Sequence, residues 1–362
     1  MLPRRSSGCK PRLPIFNDVR RGKAGMTRVF ITGTAGFIGY HLADLLLDEG
    51  MVVHGLDGMT DYYDVSLKQR RHQMLLQKPG FTATEAMLED QAAVDAAIDA
   101  CAPDIIVHLA AQAGVRYSLE NPRAYIDANI VGTFTVMEAA KRHAVRHLLM
   151  ASTSSVYGAN TEMPYAETMK ADSPMTIYAA TKKATEAMGH AHAHLWNLPT
   201  TMFRFFTVYG PWGRPDMAYF KFVEAILAGR PIDIYNHGEM YRDFTYVGDL
   251  VRGIRLLMDA PPVRPDSPES IAPGDSLSPV APYRVVNIGN SDKVRLLDFV
   301  AAIEEALERP AIRNMMEMQK GDVPATWADA RLLERLTGYR PQTSVRDGIA
   351  QFVRWYRAYY QV

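Results

Sequence analysis

The stretch RVFITGTAGFIG, residues 28–39, determines how this chain folds. Its apolar start predicts a buried strand, and the apolar periodicity that continues to Leu47 predicts a helix. Gly33 permits a tight turn, Gly36 lets backbone approach a pyrophosphate, and Gly39 lets the helix pack closely on the strand. The helix N-terminus offers N–H donors to phosphates. A strand, a glycine turn and a helix in this order predict a dinucleotide site, and a purely structural turn is the alternative.

A carboxylate follows the second predicted strand, residues 52–56, at Asp57. Its distance along the chain from the glycine turn is close to the roughly 20 residues at which a carboxylate accepts the adenosine ribose hydroxyls. Such a carboxylate repels a 2′-phosphate, so NAD is favoured over NADP. Further contacts to the cofactor are expected from the turn itself and from the end of a buried strand at 105–110, where small residues let backbone run past the ligand: Phe37, Ile38, Leu109, Ala110, Ala111 and Gln112.

Strands and helices alternate along most of the chain, which predicts an α/β fold with a doubly wound, Rossmann-type parallel sheet. Further strands are expected at 81–86, 147–150, 200–206 and 283–289, and helices at 90–100, 125–142, 172–196, 220–228 and from Val345. The length suggests two closely associated domains. We expect an NAD-binding domain of residues 27–206, 240–259 and 283–289, and a smaller mixed α/β C-terminal substrate domain of 207–239, 260–282 and 290–362. Residues 261–282, rich in Pro and Ser, predict a surface insertion.

The composition indicates a small-molecule partner. Lys plus Arg equals Asp plus Glu at 40 each, so no net charge recruits nucleic acid or an anionic membrane surface. Cys9 and Cys101 form neither a CxxC pair nor a disulfide framework, which suits the cytoplasm. Residues 1–25 are basic and proline-containing, without the apolar core of a secretory signal. We expect them to be a disordered extension or to precede the true start at Met26, and an Arg-rich targeting peptide is the alternative.

Residues 150–183 contain a candidate acid/base group. Tyr178 and Lys182 are four apart in a predicted helix and therefore share a face. A nearby ammonium favours the phenolate, so we expect a lowered Tyr178 pKa. Four hydroxyl residues, Ser152 to Ser155, follow the strand before it. A hydroxyl-rich turn before an ordinary surface helix is the alternative.

Other polar residues have two interpretations each. Arg116 follows a strand end, where a cation could meet an anionic ligand, or it is a solvated loop arginine. His190 and His194 share a helix face, but no third ligand accompanies them, so we expect packed or solvated histidines and no metal site.

Taken together, GTAGFIG, Asp57, HLAAQAG, Thr153 with YAATK, and RFFTVYGPWGRPDM resemble the extended short-chain dehydrogenase/reductase family, the NAD-dependent epimerases and dehydratases of nucleotide sugars. The similarity runs from Thr27 over nearly the whole chain. AGVRYS, TSSVYG and NHGEMYRDFTY look most like its UDP-glucuronate 4-epimerase group, which implies conversion of UDP-glucuronate to UDP-galacturonate. The UDP-glucose/UDP-galactose 4-epimerases and, less closely, the UDP-glucuronate decarboxylases are alternatives, as is an NAD-binding protein without turnover.

The resemblance implies roles for single residues. Tyr178 would be the acid/base, Lys182 would bind the nicotinamide ribose, and Thr153 would bond the sugar 4-oxygen, as hydride leaves C4 and returns to the other face of a 4-keto sugar. Relatives that dehydrate or decarboxylate this intermediate carry acids after the threonine, where this chain has Ser154 and Ser155. The resemblance assigns the sugar and its carboxylate to Ser154, Ser155, Thr207 and Arg214, and the UDP moiety to Arg242, Gln319 and Asp322.

Two further implications concern assembly and cofactor affinity. Relatives suggest a homodimer joined by helices near 120–143 and 176–196. Many relatives carry an aspartate that contacts adenine after the third strand, where this chain has Ala86, Met87 and Leu88. This departure predicts weaker or purely apolar anchoring of adenine.

Overall fold

The computed structural model describes residues 26–319 and 322–362, and the prediction for residues 1–25 lies outside them. Its strands are β1 Arg28–Thr32, β2 Val52–Asp57, β3 Phe81–Glu85, β4 Ile105–His108, β5 His147–Thr153, β6 Thr200–Phe205, β7 Thr207–Tyr209, β8 Ile232–Ile234, β9 Tyr241–Arg242, β10 Phe244–Tyr246, β11 Tyr283–Ile288, β12 Val294–Arg295, β13 Arg313–Met315 and β14 Ala325–Thr326. Its α-helices are α1 Phe37–Asp48, α2 Val65–Leu76, α3 Gln91–Cys101, α4 Tyr117–Glu120, α5 Pro122–Tyr125, α6 Thr133–Arg142, α7 Ile177–Trp196, α8 Ala218–Leu227, α9 Val247–Leu257, α10 Leu296–Leu307, α11 Arg331–Thr337 and α12 Val345–Tyr360.

The central sheet has seven parallel strands in the order β3-β2-β1-β4-β5-β6-β11. This confirms the predicted Rossmann-type doubly wound fold. The strand order reverses between β1 and β4, because the chain first builds outward through β2 and β3 and then restarts on the other side of β1. In open parallel sheets, ligands bind beyond the carboxyl ends of the strands at such a switch point.

Helices cover both faces of this sheet, each over its own hydrophobic core. On β1, Val29 and Ile31 face one core, which α1, α9 and α11 complete, whereas Phe30 faces the other, with α3, α6 and α7. This alternation follows from the two-residue period of a strand. Each fully buried aliphatic side chain contributes roughly 1.5–3 kcal/mol to the free energy of folding. The two cores therefore hold the strands, and the residues at their ends, in fixed positions.

A third core lies in the C-terminal part of the chain. Helices α8, α10 and α12 bury aromatic residues against β8 and β10, with Phe299 stacked on Phe244 and Phe352 packed edge-on against Tyr219. Short sheets β12-β9-β14 and β13-β8 lie in the same part. The predicted start of the last helix, at Val345, is confirmed. Among the described residues, no helix has the length and hydropathy that crossing a bilayer requires.

Within the polar stretch at 150–183, two element boundaries differ from the sequence predictions by three residues or more. Strand β5 continues past Met150 to Thr153, because its last residues pair with β6 up to the register Thr153 to Phe205. Helix α7 begins at Ile177 and not near Asp172, because the Thr176 hydroxyl caps it by accepting the Ala179 N–H at 3.2 Å. Ser152 and Thr153 are therefore held in the sheet and do not belong to a turn.

The predicted helix at 125–142 is also divided, since residues Ile126–Gly132 form a π-helical segment between α5 and α6. Such segments are rare and often occur near functional sites.

Candidate active site

A cavity of about 800 Å³ lies at the carboxyl ends of the central strands. Most of the predicted site residues line it: Gly33, Gly36, Phe37, Ile38, Gly39, Asp57, Leu109, Ala110, Ala111, Gln112, Thr153, Ser154, Ser155, Tyr178, Lys182, Thr207, Arg214, Arg242 and Asp322. Arg116 and Gln319 are not part of the lining. The cavity thus brings together residues from strand ends that are far apart in the chain.

The glycine turn forms one wall of this cavity. Gly33 has a φ of +83°, and a Cβ there would stand 2.9 Å from the Ala110 nitrogen. A Cβ on Gly39 would stand 2.0 Å from the Gly33 carbonyl oxygen. Only glycine satisfies both approaches, so backbone borders the cavity where a pyrophosphate would lie beside the start of α1. These residues fit an NAD molecule.

Asp57 stands at the end of β2, as predicted, and is held by two backbone bonds. Its Oδ2 accepts the Ala35 N–H at 2.9 Å and its Oδ1 accepts the Met59 N–H at 3.0 Å. These bonds tie the carboxylate to the glycine turn and fix its position in the cavity wall. Met87 and Glu89 line the same end, so an apolar surface and a second carboxylate are present there.

The acid/base candidates lie on one face of α7. Lys182 is buried and its Nζ donates to the Ala151 carbonyl at 2.9 Å, which ties the helix to β5. Burial lowers the pKa of Lys182 to about 8. Tyr178 packs edge-on against Tyr125, with ring centroids 5.9 Å apart. The spacing argument correctly placed both side chains at one site.

The prediction that the Tyr178 pKa is lowered is wrong for this state of the protein. Burial raises the pKa of Tyr178, and the neighbouring Thr153 hydroxyl and Arg214 charge offset the increase only in part. The spacing of Tyr178 and Lys182 says nothing about burial, and burial is the dominant effect here. The phenol therefore keeps its proton in this structure.

The four hydroxyl residues have different partners. Ser152 donates to Glu186 at 2.7 Å in the interior, whereas Thr153 and Ser155 are bonded to each other by their side chains at 3.2 Å. Ser155 also donates its N–H to the Thr153 hydroxyl oxygen at 3.2 Å. Ser154 and Ser155 begin a short 3₁₀ helix and border the cavity. Thr153, Ser154 and Ser155 are therefore available to a ligand, and Ser152 has a structural partner.

Arg214 brings a positive charge to the same cavity. It follows β7 and makes two parallel bonds to Asp216, from Nε to Oδ1 at 3.0 Å and from Nη2 to Oδ2 at 2.7 Å. Burial would lower the pKa of Arg214, but the Asp216 charge outweighs that effect and raises it. The guanidinium is thus permanently charged, and it is mostly buried.

The residues expected at a UDP moiety lie farther along the cavity. Arg242 is mostly buried and donates to the Tyr241 carbonyl at 2.9 Å. Asp322 pairs with Arg116 at 3.2 Å, and the Arg116 guanidinium stacks over the Tyr235 ring at 4.9 Å. Arg116 is half exposed and reaches the site only through Asp322. The backbone carbonyl of Gln319 accepts the Asp322 N–H at 3.2 Å and so helps to hold Asp322.

The two aligned histidines have ordinary partners. His190 bonds to the Ser278 hydroxyl at 2.8 Å and His194 to the Val280 carbonyl at 2.8 Å, so both contact the insertion at 261–282. Within residues 26–319 and 322–362, no cluster of three potential metal ligands occurs.

Two features of the site escaped the sequence analysis. Asn129, in the π-helical segment, accepts the Gln112 N–H at 2.9 Å and donates to Thr181 at 3.1 Å. It therefore links the loop after β4 to α7. Glu186 and Arg204 form a buried ion pair behind the cavity. Glu186 lies four residues after Lys182 on the same helix face, which was the one signal available in the sequence.

Comparison with known proteins gives the same assignment as the motifs. Residues 29–271 match the model of the NAD dependent epimerase/dehydratase family. A "Probable UDP-glucuronate 4-epimerase" of Rhizobium meliloti is 58% identical over 334 residues, which are 92% of this chain and 98% of that protein.

Solved structures with the same fold include two epimerases. UDP-glucuronic acid 4-epimerase from Bacillus cereus, in complex with UDP-glucuronic acid and NAD, has a TM-score of 0.80 at 28% identity, covering 92% of this chain and 99% of that one. UDP-glucose 4-epimerase from Thermotoga maritima, with UDP-glucose, has a TM-score of 0.78 at 26% identity, with the same coverage. The resemblance inferred from the motifs is confirmed, and the chain belongs to the NAD-dependent epimerase/dehydratase family.

Proposed function

We propose that the protein is an NAD-dependent isomerase that converts UDP-glucuronate to UDP-galacturonate by 4-epimerisation. This proposal rests on one observation, the set of residues that line the cavity. It combines Tyr178 and Thr153 with a buried cation, Arg214, and with neutral Ser154 and Ser155. A uronic acid needs the cation for its carboxylate, and reversible oxidation at C4 needs the acid/base pair.

The chain's residues would divide the work as follows. NAD, held by the glycine turn and Asp57, supplies reversible hydride transfer. Tyr178 takes the proton of the C4 hydroxyl during oxidation and returns it during reduction, while Thr153 holds the 4-oxygen. Lys182, whose Nζ donates to the Ala151 carbonyl, would also bond the nicotinamide ribose of the cofactor.

The absence of acids at Ser154 and Ser155 favours epimerisation over the other fates of a 4-keto uronic acid. Dehydration and decarboxylation require an additional proton transfer or an electrostatic push on the intermediate. Two serines can bond a carboxylate but cannot exchange protons with the intermediate near neutral pH. Arg242 and Asp322 are assigned to the UDP moiety. Arg116 and Gln319, which lie outside the cavity lining and each bond Asp322, are assigned to the support of Asp322.

The assay follows directly from the proposal. Purified protein with NAD is expected to form UDP-galacturonate from UDP-glucuronate, and the reverse reaction should reach the same equilibrium mixture. Chromatography of the nucleotide sugars measures both. Release of carbon dioxide with a UDP-pentose, or the absence of any 4-epimer, would contradict the proposal.

A second candidate, 4-epimerisation of UDP-glucose, is supported by the similarity to the Thermotoga maritima enzyme. The two functions share the hydride and proton machinery and differ only in the group on C5. Arg214 distinguishes them, because only the carboxylate offers a buried guanidinium an opposite charge and two acceptor oxygens. The same assay with UDP-glucose as substrate is expected to show much slower turnover.

We also propose a homodimer formed by the helices expected from the sequence. Phe134 on α6 and Ile126 in the π-helical segment are exposed apolar residues, at 45% and 42%, and Ile177 and Trp196 of α7 are exposed as well. Helix α7 packs beside α6. Such a patch on two adjacent helices fits a second copy of the chain.

We expect the unchanged protein to be a dimer and the Phe134→Asp variant to be a monomer. In the dimer, the new carboxylate would be buried in an apolar contact without a partner. Sedimentation or light scattering measures the mass. Ile312→Asp, at an exposed apolar position outside these helices, serves as the control and should leave the dimer intact. A monomeric unchanged protein would refute the proposal.

The domain boundaries given above remain our proposal, and the separate core of α8, α10 and α12 supports a C-terminal substrate domain. Helix α11, which lies within 290–362, packs instead in the core on the central sheet and does not support the boundary there. The cytoplasm is proposed as the location, because Cys101 is a free thiol, which suits a reducing compartment.

A further inference from the structure

Asp216 is the only carboxylate among the described residues that bonds the Arg214 guanidinium. It takes the Nε and Nη2 edge in a planar, two-bond geometry, which fixes the orientation of the whole guanidinium group. The Nη1 nitrogen makes no hydrogen bond to any residue in 26–319 or 322–362. Arg214 borders the cavity, whereas Asp216 does not. One edge of the guanidinium thus lacks a partner among the described residues, on a side chain that borders the cavity.

Asp216 is itself held from a second direction. The Tyr62 hydroxyl donates to Asp216 Oδ2 at 3.4 Å. Burial raises the pKa of Tyr62 to about 12, so this phenol keeps its proton and remains a donor. Tyr62 lies between β2 and α2, far from Asp216 in sequence. The contact therefore joins that segment to the loop between β7 and α8, which carries Arg214 and Asp216.

The backbone of the loop carrying both residues is tightly constrained. A Cβ on Gly213 would stand 1.9 Å from the Tyr219 hydroxyl, and the Pro211 carbonyl is bonded to the His41 ring at 2.9 Å. The backbone is thus fixed, and the remaining freedom of Arg214 is that of its long side chain. Two bonds to Asp216 remove this freedom before a ligand arrives.

We propose that Asp216 is a positioning residue for substrate specificity: it holds Arg214 so that the free edge of the guanidinium receives the carboxylate of a UDP-linked uronic acid. This deepens the proposed function and rests on it. Asp216 acts through Arg214 and does not touch the substrate. Binding of the UDP moiety, which lies at Arg242 and Asp322, does not depend on it.

The test is the Asp216→Asn variant, which keeps the shape of the side chain and removes its charge. We expect the KM for UDP-glucuronate to rise about tenfold, because the guanidinium would no longer be aligned with the carboxylate, and a misplacement of about 1 Å can cost up to about 10²-fold. The inhibition constant of UDP, which carries no carboxylate, should stay within about twofold. Asp233→Asn is the matched control, since Asp233 is exposed and its carboxylate bonds only the Asn314 side chain among the described residues; both constants should be unchanged in it.

Three outcomes would overturn the inference. They are an unchanged KM in Asp216→Asn, a lowered KM, which would mean that Asp216 competes with the substrate, and an equal rise in both constants, which would mean general damage to the cavity. If the variant does not fold, Asp216→Glu replaces it; its longer side chain moves Arg214 and should raise the KM alone. Failure of the proposed function is recognised separately, because the unchanged protein would then not epimerise UDP-glucuronate.

Discussion

Tyr178→Phe is expected to slow epimerisation of UDP-glucuronate by about 10²- to 10⁴-fold, the usual contribution of a positioned acid/base group. The variant lacks the only hydroxyl that we assign to the proton of the C4 oxygen, and it keeps the ring that packs against Tyr125 at 5.9 Å. The loss should appear in kcat, with little change in KM, because the phenol contributes mainly to the transition state. Steady-state kinetics with product chromatography measures both constants.

The controls separate chemistry from folding. Melting temperature and bound NAD should match the unchanged protein, since the variant keeps the ring that packs against Tyr125 and loses only the hydroxyl next to Thr153. Tyr360→Phe, at a partly exposed position on α12, should be fully active. A Tyr178→Phe enzyme within tenfold of normal turnover would remove the tyrosine from the acid/base role.

The spacing of Tyr178 and Lys182 predicted their relative position but not the pKa of the tyrosine. The four-residue interval between Tyr178 and Lys182 fixed their common helix face, and this was correct. The direction of the tyrosine pKa depends on how deeply the ring is buried and on what the ammonium bonds, and neither follows from local sequence. Lys182 directs its charge at the Ala151 carbonyl, and burial dominates at Tyr178. Burial therefore favours the protonated phenol, whatever the spacing of the two side chains suggests.

In the rest of the site, too, features that depend on local sequence were predictable and contacts between distant segments were not. The glycine turn, Asp57 and the strand ends were predictable, because a strand, a turn and a helix are local and strand ends converge at the switch point of a parallel sheet. The contact between Asp216 and Tyr62, the bonds of Asn129 and the pair of Glu186 with Arg204 join segments distant in sequence. Nothing in the local pattern of hydrophobic residues encodes them.

The buried pair of Glu186 and Arg204 gives the largest expected effect on stability. Both side chains are 3% exposed, and Arg204 donates to Glu186 from Nε at 2.9 Å and from Nη2 at 2.8 Å. Glu186→Ala leaves a charged guanidinium in the interior without its partner. Removal of one member of a buried pair typically costs about 3–5 kcal/mol, so we expect a loss of this size in the free energy of unfolding. Urea denaturation measures it.

The pH dependence of this contribution has a definite sign. Burial alone would raise the pKa of Glu186, but the bonds from Arg204 and Ser152 hold it below the ordinary value of 4.5. The pair therefore stabilises the fold fully above pH 4.5, and its contribution is lost as the pH falls through the lower pKa of the folded state. Glu186→Ala should lack this part of the acid sensitivity of the unchanged protein.

A double replacement distinguishes the pair from mere packing. Glu186→Leu with Arg204→Met removes both charges while keeping similar volume, and such replacements are often neutral or stabilising. The double variant should thus be more stable than either single variant, and single variants that cost less than about 1 kcal/mol would contradict a strong pair. The turnover of the double variant should nevertheless stay low. Through Glu186, the ion pair joins α7 to β6 and the Ser152 bond joins α7 to β5, one residue before Thr153. An apolar core would restore the packing without restoring the alignment of Tyr178 with Thr153.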